Sequence, residues 1–597
     1  MAQTRSSTRK IINLPQAIRQ ALELHGRGRL AEAETLYAEI LAVKPDHFDA
    51  LHMLGLLKLQ RGKPVEALRL IAAALNAKPV SAEALLNHGN VLNALNRHEE
   101  ALASYDQALA IKPRYAEALN NRGSALGRLT RHEEALTSYE RALKIKPDYA
   151  EALYNQGNAL RTLNRDEDAL NSYERALAIR PDHAKAHNNR GNALQKLGRH
   201  QEALTSYERA LALQPDFVEA LSNRGSVLQI LGRLEEALAS QARALALNPD
   251  YAEALYNQGN ALVMLGRHRE ALASYERALA IKPDHAEAQW NQGLARLRLG
   301  DFRAGWKQYE WRWKRPDGVQ AQRSFAQPLW TGQQSLQGKT ILLHAEQGLG
   351  DTIQFVRYAT LVARRGAKVI LEVQRTLKLL LARVEGIAGI VGRSEELPAF
   401  DLHCPLLSLP LAFDTELGTI PANIPYLAAT DDRIETWSAR LPPRKGLRVG
   451  IAWSGNSKHK DDRNRSIALA RLAPMFDAPG VQFVSLQKDA RDSEAEALRD
   501  IPGLLDLGPE FKDFADTAAL ISLIDLVISV DTSTAHLAGA MGKPVWVLLP
   551  FSPDWRWLLE REDSPWYPTA RLFRQPMIGD WESVIGRMRR ELAHGRP

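Results

Sequence analysis

The sequence has one cysteine, no long hydrophobic run and no extended block of basic residues. Cys404 has no second cysteine to pair with, which excludes an intrachain disulfide and a cysteine-rich metal site and fits a reducing compartment. The N-terminus is basic and hydroxyl-rich but has no apolar signal core, and no apolar run is long enough to span a membrane. These absences predict a cytoplasmic protein without a membrane span.

The charges alternate along the chain, so the net charge of +7 comes from 77 basic and 70 acidic residues without a basic patch in sequence. A nucleic-acid partner is therefore disfavoured. The length of 597 residues exceeds one domain, and a composition that is 45% hydrophobic and 25% charged is ordinary for a globular protein. We expect at least two or three domains.

The first half of the chain repeats with a period of 34 residues. Each unit contains two helical patterns split by a turn, and a proline ends the second helix. Glycines and alanines recur in the same register, as expected where helices cross closely. The prolines that hold the period are Pro45, Pro79, Pro113, Pro147, Pro181, Pro215, Pro249 and Pro283.

This pattern resembles the tetratricopeptide repeat over residues 14–319, in about nine units with degenerate caps. One repeat cannot bury its own apolar face, so stacked neighbours should form an α-solenoid with a concave groove. In the last unit, Trp306, Trp311 and Trp313 are too apolar for a free solenoid end. We expect them to dock onto the next domain.

An asparagine recurs at one helical position of these repeats and is expected to form a ladder. Its amide offers a donor and an acceptor, so a row of asparagines can hold the main chain of an extended peptide. The alternatives are solvated helix residues and bridges between adjacent repeats. The repeats of eukaryotic O-GlcNAc transferase look similar, which implies a protein acceptor. The ladder consists of Asn87, Asn121, Asn155, Asn189, Asn223, Asn257 and Asn291.

In the second half, short apolar strands alternate with helical patterns, which is typical of α/β architecture. We predict a linker over 320–338, a Rossmann-like lobe over 339–428, an interlobe linker over 429–446 and a nucleotide-sugar-binding lobe over 447–597. Two such lobes across a cleft are the plan of a GT-B glycosyltransferase, with ligands at the carboxyl ends of the strands. The predicted fold class is an N-terminal α-solenoid followed by a two-lobed, α/β GT-B domain.

The segment HAEQGLGDTIQF, residues 344–355, predicts a strand, a glycine turn and a helix. Gly348 and Gly350 let the backbone approach a ligand, but the full dinucleotide fingerprint is missing, which disfavours an oxidoreductase. Asp351 begins the helix. It is either the N-cap of that helix or the base that takes a proton from an acceptor hydroxyl, and the two roles are compatible.

Residues 525–550 predict a strand, a helix start and a second strand, which together form an anion site. Asp531, Thr532, Ser533 and Thr534 lie where the helix begins, and the free backbone N–H groups of a helix start favour a phosphate. His536 falls in the first turn and can add a side-chain donor.

A basic loop follows another predicted strand, within AWSGNSKHKDDRNRSI, residues 452–467. Four cations in one loop suit a phosphate, although basic loops are more often simply solvated. Arg465 is the strongest candidate because it lies nearest the following helix, and Ser454 and Asn456 are further donor-binding candidates. The four cations are Lys458, Lys460, Arg463 and Arg465.

A tryptophan-rich segment, PFSPDWRWLLEREDSPWYP, follows the last predicted core strand. Trp555, Arg556, Trp557 and Trp566 either wall the donor pocket or pack the hinge between lobes, and packing is favoured. Asp513 and Asp516 are weaker candidates for contacts with a ribose or base. No spaced cluster of acidic residues or histidines indicates a metal.

The pair GLGD and DTSTAHLAGAMGKP resembles the heptosyltransferase-type family of GT-B enzymes. The resemblance implies that Asp351 is the base, that Asp531, Thr532, Ser533 and His536 contact the donor, and that Arg465 replaces a basic phosphate-binding residue. Ser533 stands where that family usually has glycine. Joined to the repeats and to PFSPDWRWL, these motifs also resemble bacterial tetratricopeptide glycosyltransferases, some of which modify flagellin with nonulosonic acids.

The sequence and these resemblances predict an inverting, metal-independent protein O-glycosyltransferase that needs no cofactor beyond its nucleotide sugar. The repeats would hold a protein acceptor, with flagellin as one candidate, while the lobes transfer the sugar to a Ser or Thr hydroxyl. One alternative is a scaffold whose lobes are a catalytically dead relic. Another is a transferase that acts on a polysaccharide or lipid-linked sugar.

Overall fold

The computed structural model describes residues 13–315, 323–457, 462–491, 494, 498 and 501–594. Its chain forms two compact units, the first ending at Asn248 and the second beginning at Pro249. The described part of the first unit contains only helical hairpins, whereas the second combines further hairpins with two parallel sheets. None of the helices in the described ranges is long and apolar enough to cross a lipid bilayer.

Each full hairpin pairs a 13-residue helix with a 14-residue helix, as in the 34-residue pattern. The hairpins of the first unit are α1 (Leu14–Gly26), α2 (Leu30–Val43), α3 (Phe48–Gln60), α4 (Pro64–Ala77), α5 (Ala82–Ala94), α6 (His98–Ile111), α7 (Ala116–Arg128), α8 (His132–Ile145), α9 (Ala150–Thr162), α10 (Asp166–Ile179), α11 (Ala184–Lys196), α12 (His200–Leu213), α13 (Val218–Ile230) and α14 (Leu234–Leu247). Those of the second are α15 (Ala252–Met264), α16 (His268–Ile281), α17 (Ala286–Arg298) and α18 (Phe302–Tyr309).

The two helices of a hairpin cross closely because a repeat glycine lies against a tyrosine ring. A Cβ atom on Gly157 would lie only 2.6 Å from Cε1 of Tyr173. The Tyr173 hydroxyl then donates to Asn158 Oδ1 at 2.8 Å, one residue after the glycine. The same glycine–tyrosine contact recurs at Gly89–Tyr105, Gly123–Tyr139, Gly191–Tyr207 and Gly259–Tyr275. The recurring glycine is therefore required by close packing.

The sheets of the second unit are parallel throughout. The first has the order β3-β2-β1-β4 and contains β1 (Thr340–His344), β2 (Lys368–Val373), β3 (Ile387–Gly392) and β4 (Leu402–Pro405). The second has the order β10-β9-β8-β5-β6-β7 and contains β5 (Leu447–Ala452), β6 (Val481–Ser485), β7 (Leu504–Asp506), β8 (Leu526–Val530), β9 (Val545–Leu549) and β10 (Ala570–Arg574).

Short helices connect the strands of both sheets. They are α19 (Leu349–Phe355), α20 (Arg357–Arg364), α21 (Lys378–Leu381), α22 (Leu409–Ala412), α23 (Asp431–Ser438), α24 (Asp462–Arg465), α25 (Leu469–Leu472), α26 (Phe514–Ser522), α27 (Ser533–Ala540) and α28 (Trp581–Ala593). The helical segment after the GLGD turn is divided into α19 and α20 at Val356. Ligands of parallel α/β sheets bind at the carboxyl ends of the strands, where α19 and α27 begin.

The last hairpins of the array pack onto the α/β region within the second unit. Trp306 of α18 is buried, and its Nε1 donates to the carbonyl of Thr415 at 3.0 Å. Trp311 and Trp313 are half-buried in the 3-10 helix Glu310–Lys314. In the loop after β9, Ser552 Oγ donates to the carbonyl of Val263 at 2.9 Å. Trp306 thus makes the docking contact expected of the terminal tryptophans.

Candidate active site

A cleft of about 1430 Å³ opens at the carboxyl ends of the strands in the second unit. Loops after β1 and β2 line one side, and loops after β5, β8 and β9 line the other. Helix α17 of the last repeat contributes Trp290, Leu294 and Arg298. The predicted residues that line the cleft are Gly348, Gly350, Asp351, Ser454, Asn456, Arg465, Asp531, Thr532, Ser533, Thr534 and His536. Lys458 lies outside the described residues.

Asp351 does not occupy the N-cap position that the sequence indicated. Gly348 is the N-cap of α19, and Asp351 is the third helical residue. Its Oδ2 accepts a hydrogen bond from the backbone N–H of Gly348 at 2.8 Å, which is the half of a capping box that a glycine N-cap allows. Its Oδ1 accepts from Arg556 Nη2. One carboxylate oxygen therefore caps the helix, and the other pairs with an arginine in the cleft.

Arg556 has a role that the sequence did not reveal, because it was grouped with neighbouring tryptophans. Its guanidinium is buried and donates to Gln354 Oε1 at 2.7 Å, to Asp554 Oδ1 at 2.8 Å and to Asp351. Asp351 and Gln354 belong to α19, whereas Arg556 lies in the 3-10 helix Trp555–Trp557. The arginine therefore joins the two lobes at the cleft. The sequence signal that could have indicated this role is the position of Arg556 between two tryptophans and two residues after Asp554.

The three tryptophans around Arg556 are buried side chains that pack the junction between lobes. Trp555 packs edge-on against Trp306 of the last hairpin, with ring centroids 5.1 Å apart, and also lines the cleft. Trp557 stacks on the His536 ring, with centroids 5.5 Å apart. Trp566 packs against Phe355 of α19.

Helix α27 begins in the cleft with Thr532 as its N-cap residue. The Thr532 hydroxyl does not cap the helix and lies 3.1 Å from Ser529 Oγ. Burial and the nearby Asp554 carboxylate raise the pKa of Asp531 to about 6. An N-terminus without a side-chain cap is suited to bind an anion through its backbone N–H groups.

His536 is buried and is the fourth residue of α27, at the end of its first turn. Its Nδ1 lies 3.0 Å from the Tyr567 hydroxyl, and its Nε2 lies 3.8 Å from Asp531 Oδ1. Burial and the positive charge of Arg556 lower the pKa of His536 to about 3, so the ring is neutral near pH 7. A Cβ atom on Gly350 would lie 2.7 Å from His536 Cδ2. Glycine at this position lets the two motifs touch.

Arg465 of the basic loop lines the cleft, and its Nη1 donates to the carbonyl of Asp531 at 3.1 Å. Gly455 provides the space, since a Cβ atom there would lie 2.5 Å from Arg465 Nη2. Ser454 Oγ is buried and has no hydrogen-bond partner within the described ranges. Arg463 is exposed, and Lys460 lies outside the described residues.

Asp513 and Asp516 mainly make structural contacts, as a helix cap and as an ion-pair partner. Asp513 caps α26 through the N–H of Ala515 at 2.8 Å, and it also lines the cleft. Asp516 is buried and accepts from Arg433 at 2.6 Å and from Trp437 Nε1 at 3.2 Å. Among the described residues, no three His, Cys, Asp or Glu side chains form a group that could hold a metal ion.

The ladder asparagines are partly exposed and make the bridges that the sequence left as an alternative to peptide binding. Asn155 Nδ2, for example, donates to Asn120 Oδ1 of the preceding repeat at 3.0 Å. A polar pocket of about 230 Å³ lies beside Asn121 and Asn155. Bridges to the preceding repeat are made by Asn87, Asn121, Asn155, Asn189, Asn223 and Asn291.

Two kinds of family model match the chain. Models of the tetratricopeptide repeat match residues 24–87, 89–129, 131–161, 157–198, 184–217 and 216–284. A model of glycosyltransferase family 9 (heptosyltransferase) matches residues 470–552, which include α27 and the strands on either side of it. The chain combines tetratricopeptide repeats with a glycosyltransferase family 9 domain.

The chain is also similar to part of a curated protein. The chain is 28% identical over 308 residues to Protein FlbA of Caulobacter vibrioides (strain ATCC 19089 / CIP 103742 / CB 15), which covers 48% of this chain. The match spans about half, 51%, of that relative.

Among solved structures the chain is similar to YrrB, a tetratricopeptide repeat protein with an unusual peptide-binding site (28% identity, 31% of this chain, 95% of that chain, TM-score 0.28). It is also similar to Pseudomonas aeruginosa PilF (23% identity, 36% of this chain, 97% of that chain, TM-score 0.34).

The buried His536 of the family 9 domain predicts a specific pH dependence of stability. As the pH falls from about 6.5 to about 3, the unfolded chain binds a proton that the folded histidine does not, so stability falls. The expected contribution of His536 is about 3 kcal/mol between pH 7 and pH 4. His536→Gln should flatten the pH profile of urea unfolding. Tryptophan fluorescence can follow it in the second unit alone, because the first tryptophan is Trp290.

The matched control is His594→Gln, which removes an exposed histidine near the end of α28. We expect its pH profile to follow that of the wild type. Equal slopes for the His536 and His594 variants would contradict the buried, neutral state of His536.

Proposed function

We propose that this chain is an inverting protein O-glycosyltransferase of the GT-B type, located in the cytoplasm. Its donor is a nucleotide sugar that binds at α27 and the loops after β5 and β9. Its acceptor is a Ser or Thr hydroxyl of a polypeptide held by the repeats. Flagellin with a CMP-linked nonulosonic acid is the first acceptor and donor pair to test.

One observation carries the proposal: a single helix belongs both to the ladder and to the cleft. Helix α17 bears Asn291, the last ladder asparagine, and also Trp290 and Leu294, which line the cleft next to the GLGD turn. A polypeptide main chain held at Asn291 would therefore lie within reach of the proposed donor site. A glycosyltransferase that used its repeats only for assembly would not need this arrangement.

In the proposed reaction, Asp351 removes the proton from the acceptor hydroxyl. The hydroxyl oxygen attacks the anomeric carbon opposite the phosphate, and the bond from that carbon to the phosphate oxygen breaks with its electron pair leaving on the phosphate. The N-terminus of α27, Arg465 and the unpartnered hydroxyl of Ser454 stabilise the departing charge. The proposal assigns this stabilisation to the chain itself, without a metal or other cofactor.

Arg556 affects this chemistry through its ion pair with Asp351. It fixes the orientation of the Asp351 carboxylate. Orientation of a reacting group can contribute substantially to a rate. The proposed mechanism therefore keeps Arg556 in place beside the base.

The test begins with the full chain and a panel of UDP-, GDP-, ADP- and CMP-sugars, with flagellin as acceptor and intact mass as the readout. We expect one donor class to be consumed and its sugar to appear on the protein. Absence of turnover with every donor would favour the alternative of a relic scaffold. Consumption of a donor without sugar on any protein acceptor would favour a polysaccharide or lipid-linked acceptor.

The role of the ladder is tested by the double variant Asn121→Ala with Asn155→Ala, which removes two amides beside the polar pocket. The ratio of protein transfer to donor hydrolysis should fall about tenfold if each amide contributes an ordinary hydrogen bond. The control pairs Glu99→Ala with Glu133→Ala, exposed residues also 34 positions apart. A fall of the same size in both double variants would contradict recognition by the ladder.

A further inference from the structure

At one position that faces the cleft, the last repeat differs from the six repeats before it, whereas the two N-terminal units also carry leucine there, as Leu22 and Leu56. Leu294 of α17 lines the cleft, but the same register position in six preceding repeats holds only a small polar residue. Leu294 is partly buried against the core of the second unit, and the rest of its side chain faces the cleft. The preceding residues are Asn90, Ser124, Asn158, Asn192, Ser226 and Asn260.

The polar residue has two partners in the earlier repeats. Asn260 Oδ1 accepts from the Tyr275 hydroxyl of its own hairpin at 2.7 Å and from Asn291 Nδ2 of the next repeat at 2.8 Å. Tyr309 is the counterpart of Tyr275 in the last hairpin. Its hydroxyl donates instead to Gln347 Oε1, at 3.5 Å, in the turn that leads to Asp351. Leu294 thus coincides with a tyrosine redirected from the repeat to the candidate active site.

Leu294 belongs to an apolar wall that contrasts with the polar side of the cleft. Trp290 lies one helical turn before it, and Leu349, Tyr309 and Trp555 line the same cleft. Trp290, Leu294 and Leu349 are partly buried against the core, and a ligand in the cleft can cover the apolar surface that they leave exposed. The position before the ladder asparagine is Tyr256 in the preceding repeat and Trp290 here, so the wall is larger than the repeat pattern requires.

Trp290 is held in place on the wall of the cleft. The Arg315 guanidinium lies 3.9 Å from the centroid of the Trp290 ring system and holds the ring by a cation–π contact. The cleft volume of about 1430 Å³ also exceeds the roughly 300–1,000 Å³ typical of a site for one small ligand.

We propose, on the basis of the proposed function, that Trp290 and Leu294 form an acceptor subsite. It binds an apolar side chain next to the Ser or Thr that receives the sugar. The occupant is a polypeptide, since the same helix also carries Asn291 of the asparagine ladder. Trp290 and Leu294 then determine which hydroxyls of a bound protein are modified.

The test compares two synthetic peptides that differ only beside a single threonine, with leucine on both sides in one and glutamine in the other. The donor is the nucleotide sugar that the wild type consumes in the panel above. We expect kcat/KM to be about tenfold higher for the leucine peptide with the wild type. Leu294→Asn should bring the ratio close to one. Asparagine occupies this position in four other repeats, so the variant is compatible with the fold.

Two further variants separate recognition from general damage. Trp290→Tyr introduces the residue found at this position in two other repeats. Like Leu294→Asn, it should lower the ratio of kcat/KM between the leucine and the glutamine peptide. Ser226→Asn makes a change at the position of Leu294, two repeats earlier, and should keep the wild-type ratio.

The outcomes distinguish this subsite from the proposed function. If the wild type transfers sugar to no protein and no peptide, the proposed function fails and the subsite with it. If transfer occurs but the two peptides react equally, or Leu294→Asn keeps the preference, only the subsite is wrong. A rise in the donor KM with an unchanged peptide ratio would assign the apolar wall to the donor and overturn the proposal.

Discussion

Replacing Arg556 with methionine should lower the free energy of unfolding of the second unit by about 3–5 kcal/mol. Methionine fills much of the same volume but cannot donate to Asp351, Asp554 or Gln354. The two carboxylates would then lie at the cleft without their shared cation. Removing one partner of a buried ion pair is strongly destabilising because the remaining charge has lost its compensation.

Urea unfolding followed by tryptophan fluorescence measures this effect. The control is Arg561→Met, which removes an arginine paired with the exposed carboxylate of Asp563 and should cost about 1 kcal/mol or less. A second comparison combines Arg556→Met with Asp351→Asn. Because the two residues contact each other, the double variant should be more stable than the sum of the single effects predicts. Equal losses for the Arg556 and Arg561 variants would contradict the interlobe role.

Replacing Asp351 with asparagine should lower kcat for sugar transfer about a thousandfold, within the range of roughly 10²–10⁴ typical of a general base. The asparagine Oδ1 can still accept from the N–H of Gly348, so α19 keeps its capping interaction. The variant removes the group that accepts the proton and keeps the approximate shape. The measurement is the rate of mass increase of the acceptor protein at saturating donor.

Asp401→Asn is the matched control for Asp351. Asp401 Oδ2 accepts from the N–H of Thr340 at 2.7 Å in the same lobe, and Asp401 is exposed away from the cleft. We expect its kcat to equal that of the wild type. If Asp351→Asn loses stability but keeps its rate, Asp351 is only a helix-capping residue and another group must be the base.

The sequence predicts best what local periodicity determines. The 34-residue pattern gave the helical hairpins, and the short apolar runs gave parallel strands such as β1, β5 and β8. The GLGD turn and the start of α27 were recognisable because glycine and hydroxyl residues have a defined use after a strand. Both segments line the same cleft.

What the sequence could not predict depends on contacts between distant residues. Arg556 and Asp351 are 205 positions apart, so their pairing has no local signal. Asp351 was expected to be the N-cap residue, but α19 begins earlier and its N-cap is Gly348. The start of a helix is difficult to place from sequence to within one or two residues. Leu294 differs from the polar residues of the six repeats before it, but the meaning of this difference required knowing that α17 borders the cleft.

The contacts of the last hairpins with the α/β region limit which repeats can be gained or lost during evolution. Repeats contact mainly their sequence neighbours, so whole 34-residue units can be duplicated or lost before Pro249 with limited effect on the rest. The hairpins from α15 to α18 are different, because Val263 and Trp306 are partners of Ser552 and Thr415. Array length is therefore free to drift during evolution, whereas the final repeats must be inherited together with the glycosyltransferase family 9 domain.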